Sequence, residues 1–302
     1  MRRKLLLVAM AVTIMVPSMP MVAGHRSMPP LAPHPRLRLS DARVAEINAL
    51  VATDTVAARM LTSITAAGTR LLTAPMLTCN ISGPGGLLGV ASGAVNRMYT
   101  LGLLYRLSGN TSWSLRAIEE MRAIANFSTW HPPHFLDTAE MSHAMSIGYD
   151  WLHAELSDAD KRAVEAAVLK LGIGEYNSKT SNGAQNVWAR GDWNWNQVVN
   201  GGMAVASLTF ADATATAGLP EAAATAFSTA TSALRLAFAS YAPGGAWPEG
   251  AGYWGYGTRY VASCCAGTRR RHQCRTPCLF DTVLCCPISC DCCVAPAACR
   301  SA

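Results

Sequence analysis

Two aromatic segments of this chain carry the side chains best suited to chemistry. The first is residues 193–197 (WNWNQ), and the second comprises residues 247–250 (WPEG) and 253–257 (YWGYG). An indole ring can stack on the apolar face of a sugar, while amides, carboxylates and phenols bind its hydroxyl groups. Trp and Tyr also belong to protein cores, so either segment alone has a structural interpretation. The same chemistry in both segments favours a carbohydrate-binding site.

Residues 1–24 have the features of a secretory signal peptide. Residues 2–4 (RRK) are basic, residues 5–16 form an apolar run too short for a comfortable membrane span, and residues 22–24 offer small side chains for cleavage. An uncleaved anchor is the alternative. No later segment is long and apolar enough to span a bilayer, so we expect a secreted protein without a stable membrane span. Sequons for N-glycosylation, which agree with export, begin at Asn80, Asn110 and Asn126.

The composition changes abruptly at Cys264. All of the 11 Cys except Cys79 lie between Cys264 and Cys299. We therefore divide the chain into a leader (1–24), a body (25–263) and an irregular Cys-rich tail (264–302). We interpret the tail as a wrong reading frame or an unspliced intron joined to a truncated gene. A disulfide-rich module is one alternative, and a zinc knuckle is another, although the tail offers only His272 and no standard finger spacing.

The charge of the chain resides at its two ends. The sequence has 25 basic and 19 acidic residues, a net charge of +6. Setting aside three basic residues of the leader and five Arg and two Asp of the tail leaves 17 of each sign in the body. The neutral body gives no indication of a nucleic-acid partner. An acidic substrate would have to be bound by local Arg, Lys or His.

The body has the apolar periodicity of helices. Ser40 and Ser157 are predicted N-caps, Pro220 is predicted to open a helix, and Gly172 is predicted to end one. Further predicted helices cover residues 87–107, 111–125, 136–153 and 196–210. We expect an all-α domain of about eight helices in antiparallel hairpins, which can close into an (α/α) toroid. Polar residues at the start of an inner helix would then face a cleft, where free N–H groups favour a substrate carboxylate.

Several segments resemble those of a known family. They are residues 134–141 (HFLDTAEM), 148–152 (GYDWL), 194–197 (NWNQ), 200–203 (NGGM), 248–250 (PEG) and 253–258 (YWGYGT). In this order they resemble the N-terminal toroid of the heparinase II/III-like polysaccharide lyases, whose relatives include alginate lyases and dermatan-sulfate epimerases. The resemblance covers residues 35–260. It implies an incomplete (α/α) toroid and an acidic, uronate-containing polysaccharide as substrate.

The sequence also departs from that family. The family's toroid is followed by a β-sandwich region that forms the far wall of the cleft and supplies a catalytic His, and this sequence has no counterpart of either. Trp193 stands where some relatives have a second His. We therefore expect the 302-residue chain to be a weak or inactive lyase.

Such a lyase removes the C5 proton of a uronate and expels the C4 oxygen. The uronate carboxylate must be neutralised, and Asn196 at a helix start suits this role, with Asn194 and Gln197 as alternatives. Asn196 could instead cap the helix. Tyr256, with Tyr253 as second candidate, could act as base, as proton donor to the leaving oxygen, or as both. Arg259 or Arg190 would lower the phenol's pKa.

Other side chains have expected binding roles. The predicted substrate-binding residues are Trp193, Asn194, Trp195, Gln197, Glu249, Trp254, Arg259 and His134. Glu249 could bind sugar hydroxyls or hold a turn, and His131 or His134 could reach the cleft. Asp137 and Glu140 could be a catalytic carboxylate pair, although a buried ion pair or a cap is the favoured interpretation. We expect no metal and no cofactor, because no metal spacing is shared by His131, His134, His143 and His153.

Two other function classes stay open. A glycoside hydrolase on an (α/α) toroid would use two carboxylates, such as Glu249 with Asp192 or Asp137. A non-catalytic glycan-binding remnant would bind a polysaccharide without cleaving it. The product separates these classes, because a lyase leaves an unsaturated sugar that absorbs ultraviolet light.

Overall fold

The computed structural model describes residues 28, 30–81, 85–181, 186, 188, 191–241 and 245–267. The predicted leader and residues 268–302 of the predicted tail lie outside these ranges. Every regular element within them is a helix and none is a strand, so the prediction of an all-α body is confirmed. None of these helices has the combined length and apolar character that crossing a bilayer requires.

Ten α-helices account for most of the described chain. They are α1 (Asp41–Thr53), α2 (Thr55–Leu72), α3 (Leu88–Ser108), α4 (Thr111–Ala125), α5 (Leu136–Trp151), α6 (Asp158–Ala167), α7 (Gly174–Ser181), α8 (Asn194–Phe210), α9 (Leu219–Ala239) and α10 (Ala251–Gly267). A 3-10 turn at Pro132–His134 precedes α5, and a π-helical stretch at Val168–Ile173 joins α6 to α7. The last helix extends past Cys264, where the sequence predicted the tail to begin.

Local capping signals place several helix starts where the sequence predicts them. The Ser40 side chain accepts a hydrogen bond from the backbone N–H of Arg43, at the start of α1. Ser157 and Asp160 form a reciprocal capping box at the start of α6. Pro220 lies in the first turn of α9, where its missing N–H costs nothing.

The predicted helix end at Gly172 is wrong. The chain continues there as a π-helix into α7. A Cβ on Gly172 would lie 2.5 Å from Ser142 Oγ and 3.0 Å from the Trp130 ring. Glycine at this position therefore permits close packing against α5 and does not terminate the helix.

Helices α5 and α8 form the centre of the molecule. All residues of α5 are buried, and every residue of α8 except Trp195 is buried. A Cβ on Gly202 of α8 would lie 2.9 Å from the carbonyl oxygen of Ala139 in α5. Glycine thus lets the two backbones approach closely. The rings of Tyr149 and Phe210 meet near the other ends, with centroids 4.7 Å apart, so α5 and α8 run in the same direction.

Helix α3 runs parallel to α5. Near their first turns, Ser92 contacts Glu140, and near their last turns Gly102 packs on Trp151. Helix α6 and the π-helical stretch after it run antiparallel to α5. Glu165 of α6 contacts Tyr149 near the end of α5, whereas Gly172, further along the chain, lies beside Ser142 nearer the start of α5.

Helix α10 runs parallel to α8. Gly257 packs on Gln197, and one turn further along Gly201 packs on Tyr260. Helices α3, α5, α8 and α10 therefore share one direction, and their N-terminal ends lie at the same end of the bundle. Residues from the first two turns of four helices, far apart in sequence, lie near one another there.

Candidate functional site

Asp137 is the hub of a polar cluster at this shared N-terminal end. Its carboxylate is fully buried and accepts hydrogen bonds from the backbone N–H of Leu87, at 2.8 Å, and from Nδ1 of both His131 and His134, at 2.7 Å each. An ionised carboxylate can only accept, so each imidazole carries its proton on Nδ1 when neutral. The Nε2 lone pair of each ring is then available as a base.

Gly86 makes room for this arrangement. It has a positive φ of 57°, and a Cβ there would collide with the His131 ring. His131 itself has a left-handed backbone, with φ 59°, which is uncommon for a residue other than glycine. The local backbone is thus shaped to hold this imidazole against Asp137.

Glu140 lies one turn after Asp137 on the same helix. Its buried carboxylate accepts hydrogen bonds from the hydroxyl of Tyr256 in α10 and from the hydroxyl of Ser92 in α3, both at 2.5 Å. Burial, followed by the charge of Glu140 and the hydrogen bond to it, raises the pKa of Tyr256 well above its ordinary value. The phenol therefore keeps its proton at neutral pH.

Arg259 brings a cation to the same place. It lies on α10 one turn after Tyr256, with its guanidinium carbon 5.3 Å from the centre of the Tyr256 ring. Its charge lowers the pKa of Tyr256, but by less than burial and Glu140 raise it. The expected lowering of the phenol's pKa by Arg259 is therefore present, but burial and Glu140 outweigh it. The other candidate cation, Arg190, lies outside the described residues.

Trp195 supplies an aromatic surface beside the cluster. It is the only incompletely buried residue of α8, and its ring meets the edge of His134 at a centroid distance of 4.9 Å. An indole next to an imidazole is suited to hold a sugar ring. Of the predicted binding residues, Trp195, His134 and Arg259 thus border the cluster.

Asn196 has a different environment. Its side chain is fully buried, and its amide nitrogen donates to the carbonyl oxygens of Gly191, at 2.8 Å, and Ala233, at 3.0 Å. Ala233 belongs to α9, so Asn196 faces α9, whereas Tyr256 reaches α5. The N-cap of α8 is Trp193, whose side chain makes no capping hydrogen bond. The interpretation of Asn196 as the N-cap is therefore wrong, and its amide instead ties α8 to α9.

Glu249 lies at the N-terminus of α8, where the sequence predicted that a substrate carboxylate would bind. It accepts hydrogen bonds from the backbone N–H and the side-chain amide of Asn194, both at 2.6 Å, and from Trp247 Nε1 at 3.1 Å. The first free N–H of α8 is thus satisfied by an acid of the chain itself. The structural interpretation of Glu249, as a residue that holds a turn, agrees with these contacts.

The remaining predicted residues lie around this core. Gln197 is buried and donates to the hydroxyl of Tyr241 at 2.7 Å. Tyr253 and Trp254 are 52% and 40% exposed on the first turn of α10. Tyr253 precedes Tyr256 by one turn, and of the two it is Tyr256 that bonds to the buried carboxylate.

The binding prediction missed Ser92, and it gave His131, Asp137 and Glu140 no leading role. The signal for His131, Asp137 and Glu140 was their spacing of six and three residues around the start of one helix. Ser92 has no comparable signal, because only the parallel packing of α3 and α5 brings it to Glu140. Within the described ranges, no group of three or more His, Cys, Asp and Glu side chains is placed to hold a metal ion.

No protein-family model and no curated protein matches this chain.

Proposed function

We propose that this protein is a polysaccharide lyase-like enzyme that cleaves uronate-containing glycans by β-elimination on an incomplete (α/α) toroid. One observation carries the proposal. A protonated phenol on Glu140, two imidazoles on Asp137 and the cation of Arg259 lie together at one end of four parallel helices. These are the acid, base and carboxylate partner that the elimination needs.

The helix directions support the toroid. In an (α/α) toroid the inner helices are parallel, and each returns through an outer antiparallel helix. Helices α3, α5, α8 and α10 are the inner set in this assignment, and α4, α6 and α9 are outer helices. The N-terminal ends of the inner set would then line the substrate cleft.

Arg259 takes the role of charge neutralisation. The C5 proton of a uronate is weakly acidic while the neighbouring carboxylate keeps its full charge, so a cation at that carboxylate lowers the barrier. Asn196, the residue first expected in this role, is buried and donates both of its amide hydrogens to backbone carbonyls. Arg259 is exposed beside Tyr256 and is free of both restrictions.

His134 and Tyr256 divide the two proton transfers. His134 Nε2 takes the C5 proton, the electron pair forms the C4–C5 double bond, the C4–O4 bond breaks, and Tyr256 gives its proton to O4. Burial and Glu140 raise the pKa of Tyr256, which suits a donor to an alkoxide leaving group and disfavours a phenolate base. Proton transfer from the imidazolium to the phenolate restores the site.

Aromatic residues extend the binding surface. Trp195 borders His134, and Tyr253 and Trp254 are exposed on the first turn of α10. Together with Trp193, which immediately precedes α8, they offer stacking surfaces for neighbouring sugars of a polymer. The hydrolase alternative is disfavoured, because Asp137 and Glu249 each accept three hydrogen bonds from this chain.

The test measures unsaturated product in the ultraviolet. The 302-residue chain is incubated with alginate, heparan and dermatan-type polymers, and we expect slow formation of product from one of them. Tyr256→Phe should lower the rate about a hundredfold or more. Tyr253→Phe is the matched control, because it removes an exposed hydroxyl from the same helix, and it should change the rate little.

Three outcomes would contradict the proposal. Full activity of Tyr256→Phe would remove the phenol from the mechanism. Cleavage without an absorbing product would indicate a hydrolase. Saturable binding of a polymer with no cleavage in any incubation would indicate the glycan-binding remnant.

A further inference from the structure

A cavity lies at the opposite end of the central helices from the Asp137 cluster. Its volume is about 460 Å³, and its wall includes the end of α5, the segment that follows α8, helix α6 and the segment that contains His34. Asp137 lies 12 residues before Tyr149, the residue of α5 that lines this cavity, and this separation along the helix corresponds to about 18 Å. The cavity is thus distinct from the proposed active site.

His34 is fixed at this cavity in one orientation. Its Nδ1 lies 2.5 Å from Asp150, whose fully buried carboxylate also accepts from the backbone N–H groups of Arg36 and Leu37. Because the carboxylate accepts, Nδ1 donates, and Nε2 lies 4.0 Å from Asp212 Oδ1. The His34 ring stacks on His153 at a centroid distance of 4.3 Å, which leaves two imidazoles side by side in the wall.

Hydrogen-bond acceptors surround these imidazoles. Glu165 is buried, its Oε1 accepts from the hydroxyl of Tyr149 at 2.7 Å, and its Oε2 has no partner in the described structure. Asp212 forms an ion pair with Arg36 and is half exposed. An unpartnered carboxylate oxygen at a buried position is costly, and a ligand hydroxyl would satisfy it.

Two cations border the same cavity. Lys161 and Arg162 line it, and the described residues provide neither with an ion-pair partner. The charge of Lys161 acts on His153, whose pKa is lowered to about 4, first by burial and then by His34 and Lys161. His153 is therefore neutral at pH 7 and offers one donor and one acceptor.

We propose that this cavity is a second, non-catalytic binding site for a small hydroxylated carboxylate, of the chemical class of a uronic acid monosaccharide. Its carboxylate pairs with Lys161 and Arg162, and its hydroxyls donate to Glu165 Oε2 and to the carboxylate of Asp212. Several acceptors spread around one wall require a ligand with several donors, which a sugar has. This assignment is independent of the elimination chemistry.

The experiment measures binding of free glucuronic acid to the 302-residue chain by isothermal titration calorimetry. Glucose, which lacks the carboxylate, and glucosamine, which carries a cation, are the comparison ligands. We expect saturable binding of glucuronic acid and at least tenfold weaker binding of both comparison ligands, because the cations then lack their partner. Equal binding of glucose, or no saturable binding of glucuronic acid, would overturn the proposal.

Variants locate the binding. Lys161→Gln should weaken glucuronic acid binding about tenfold, and Lys170→Gln is the matched control, because Lys170 is exposed and does not line the cavity. Glu165→Gln should also weaken binding, and its Oε1 can still accept from Tyr149, which protects the fold. Arg259→Gln removes the cation of the proposed active site and so separates binding there from binding at this cavity. Equal effects of Lys161→Gln and Lys170→Gln, or a loss only with Arg259→Gln, would place the sugar elsewhere and refute this site.

Discussion

Glu249→Ala tests whether this acid holds the structure or binds sugar. The substitution removes three hydrogen bonds, two from Asn194 and one from the indole of Trp247. It also removes a negative charge from the N-terminus of α8. We expect a less stable protein, because α8 is buried along almost its whole length and its first N–H would lose its partner.

The magnitude follows from these contacts. Loss of an N-terminal cap costs about 1 kcal/mol. The two other hydrogen bonds contribute about 0.5 kcal/mol each, at the low end of the usual range, because Glu249 is exposed. The free energy of unfolding should fall by about 2 kcal/mol. With a urea slope of about 2 kcal/mol/M, the midpoint moves down by about 1 M.

Urea denaturation followed by circular dichroism measures this change. Glu221→Ala is the matched control, because Glu221 is an exposed acid in the first turn of α9. It should cost at most about 0.5 kcal/mol. If Glu249→Ala lowers the free energy of unfolding no more than Glu221→Ala does, the contacts of Glu249 do not stabilise the fold. The sugar-binding interpretation of Glu249 would then be favoured.

Three further predictions concern single positions. Asp137→Asn should lower the elimination rate about a hundredfold or more, since the imidazole of His134 loses its fixed tautomer; nitrogen NMR of the ring should then show altered protonation of Nδ1. Gly202→Ala should cost about 1–3 kcal/mol through overpacking, whereas Gly255→Ala, where a Cβ meets nothing within 4 Å, should be neutral or stabilising in thermal unfolding. Asp160 has its pKa lowered from 3.8 to about 2, chiefly by its hydrogen bond from Arg122, so its stabilisation is present above pH 4 and is lost as the pH falls towards 2. Acid unfolding of Asp160→Asn should therefore differ from that of the unmodified chain above pH 4 and converge with it near pH 2; a constant difference would contradict this linkage.

Much of the fold could be predicted from local sequence. The caps at Ser40 and Ser157 and the proline at Pro220 act on N–H groups within one turn, so their effect does not depend on distant residues. The all-α class follows from apolar periodicity in the same way. Gly172 shows the limit of local inference, because its neighbours Ser142 and Trp130 come from other parts of the chain. The sequence alone does not distinguish a glycine that permits close packing from a glycine that ends a helix.

The candidate site could be predicted only in part. The aromatic and phenolic residues were visible as residue types, and Tyr256, Trp195, His134 and Arg259 do border one polar cluster. The sequence did not indicate which of the predicted residues lie at the cluster and which pack elsewhere. Asn196 and Trp195 are adjacent in sequence, yet one faces α9 and the other faces His134.

The physical reason is the geometry of helices in contact. Successive residues of a helix point about 100° apart, and the sequence does not state which neighbour each face meets. Close contacts at Gly201 and Gly202 fix α8 against α10 and α5. That packing joins Tyr256 to Glu140, so that the phenol donates its hydrogen bond to a buried carboxylate. The sequence by itself determined which side chains could do chemistry, and the tertiary structure decided which of them meet.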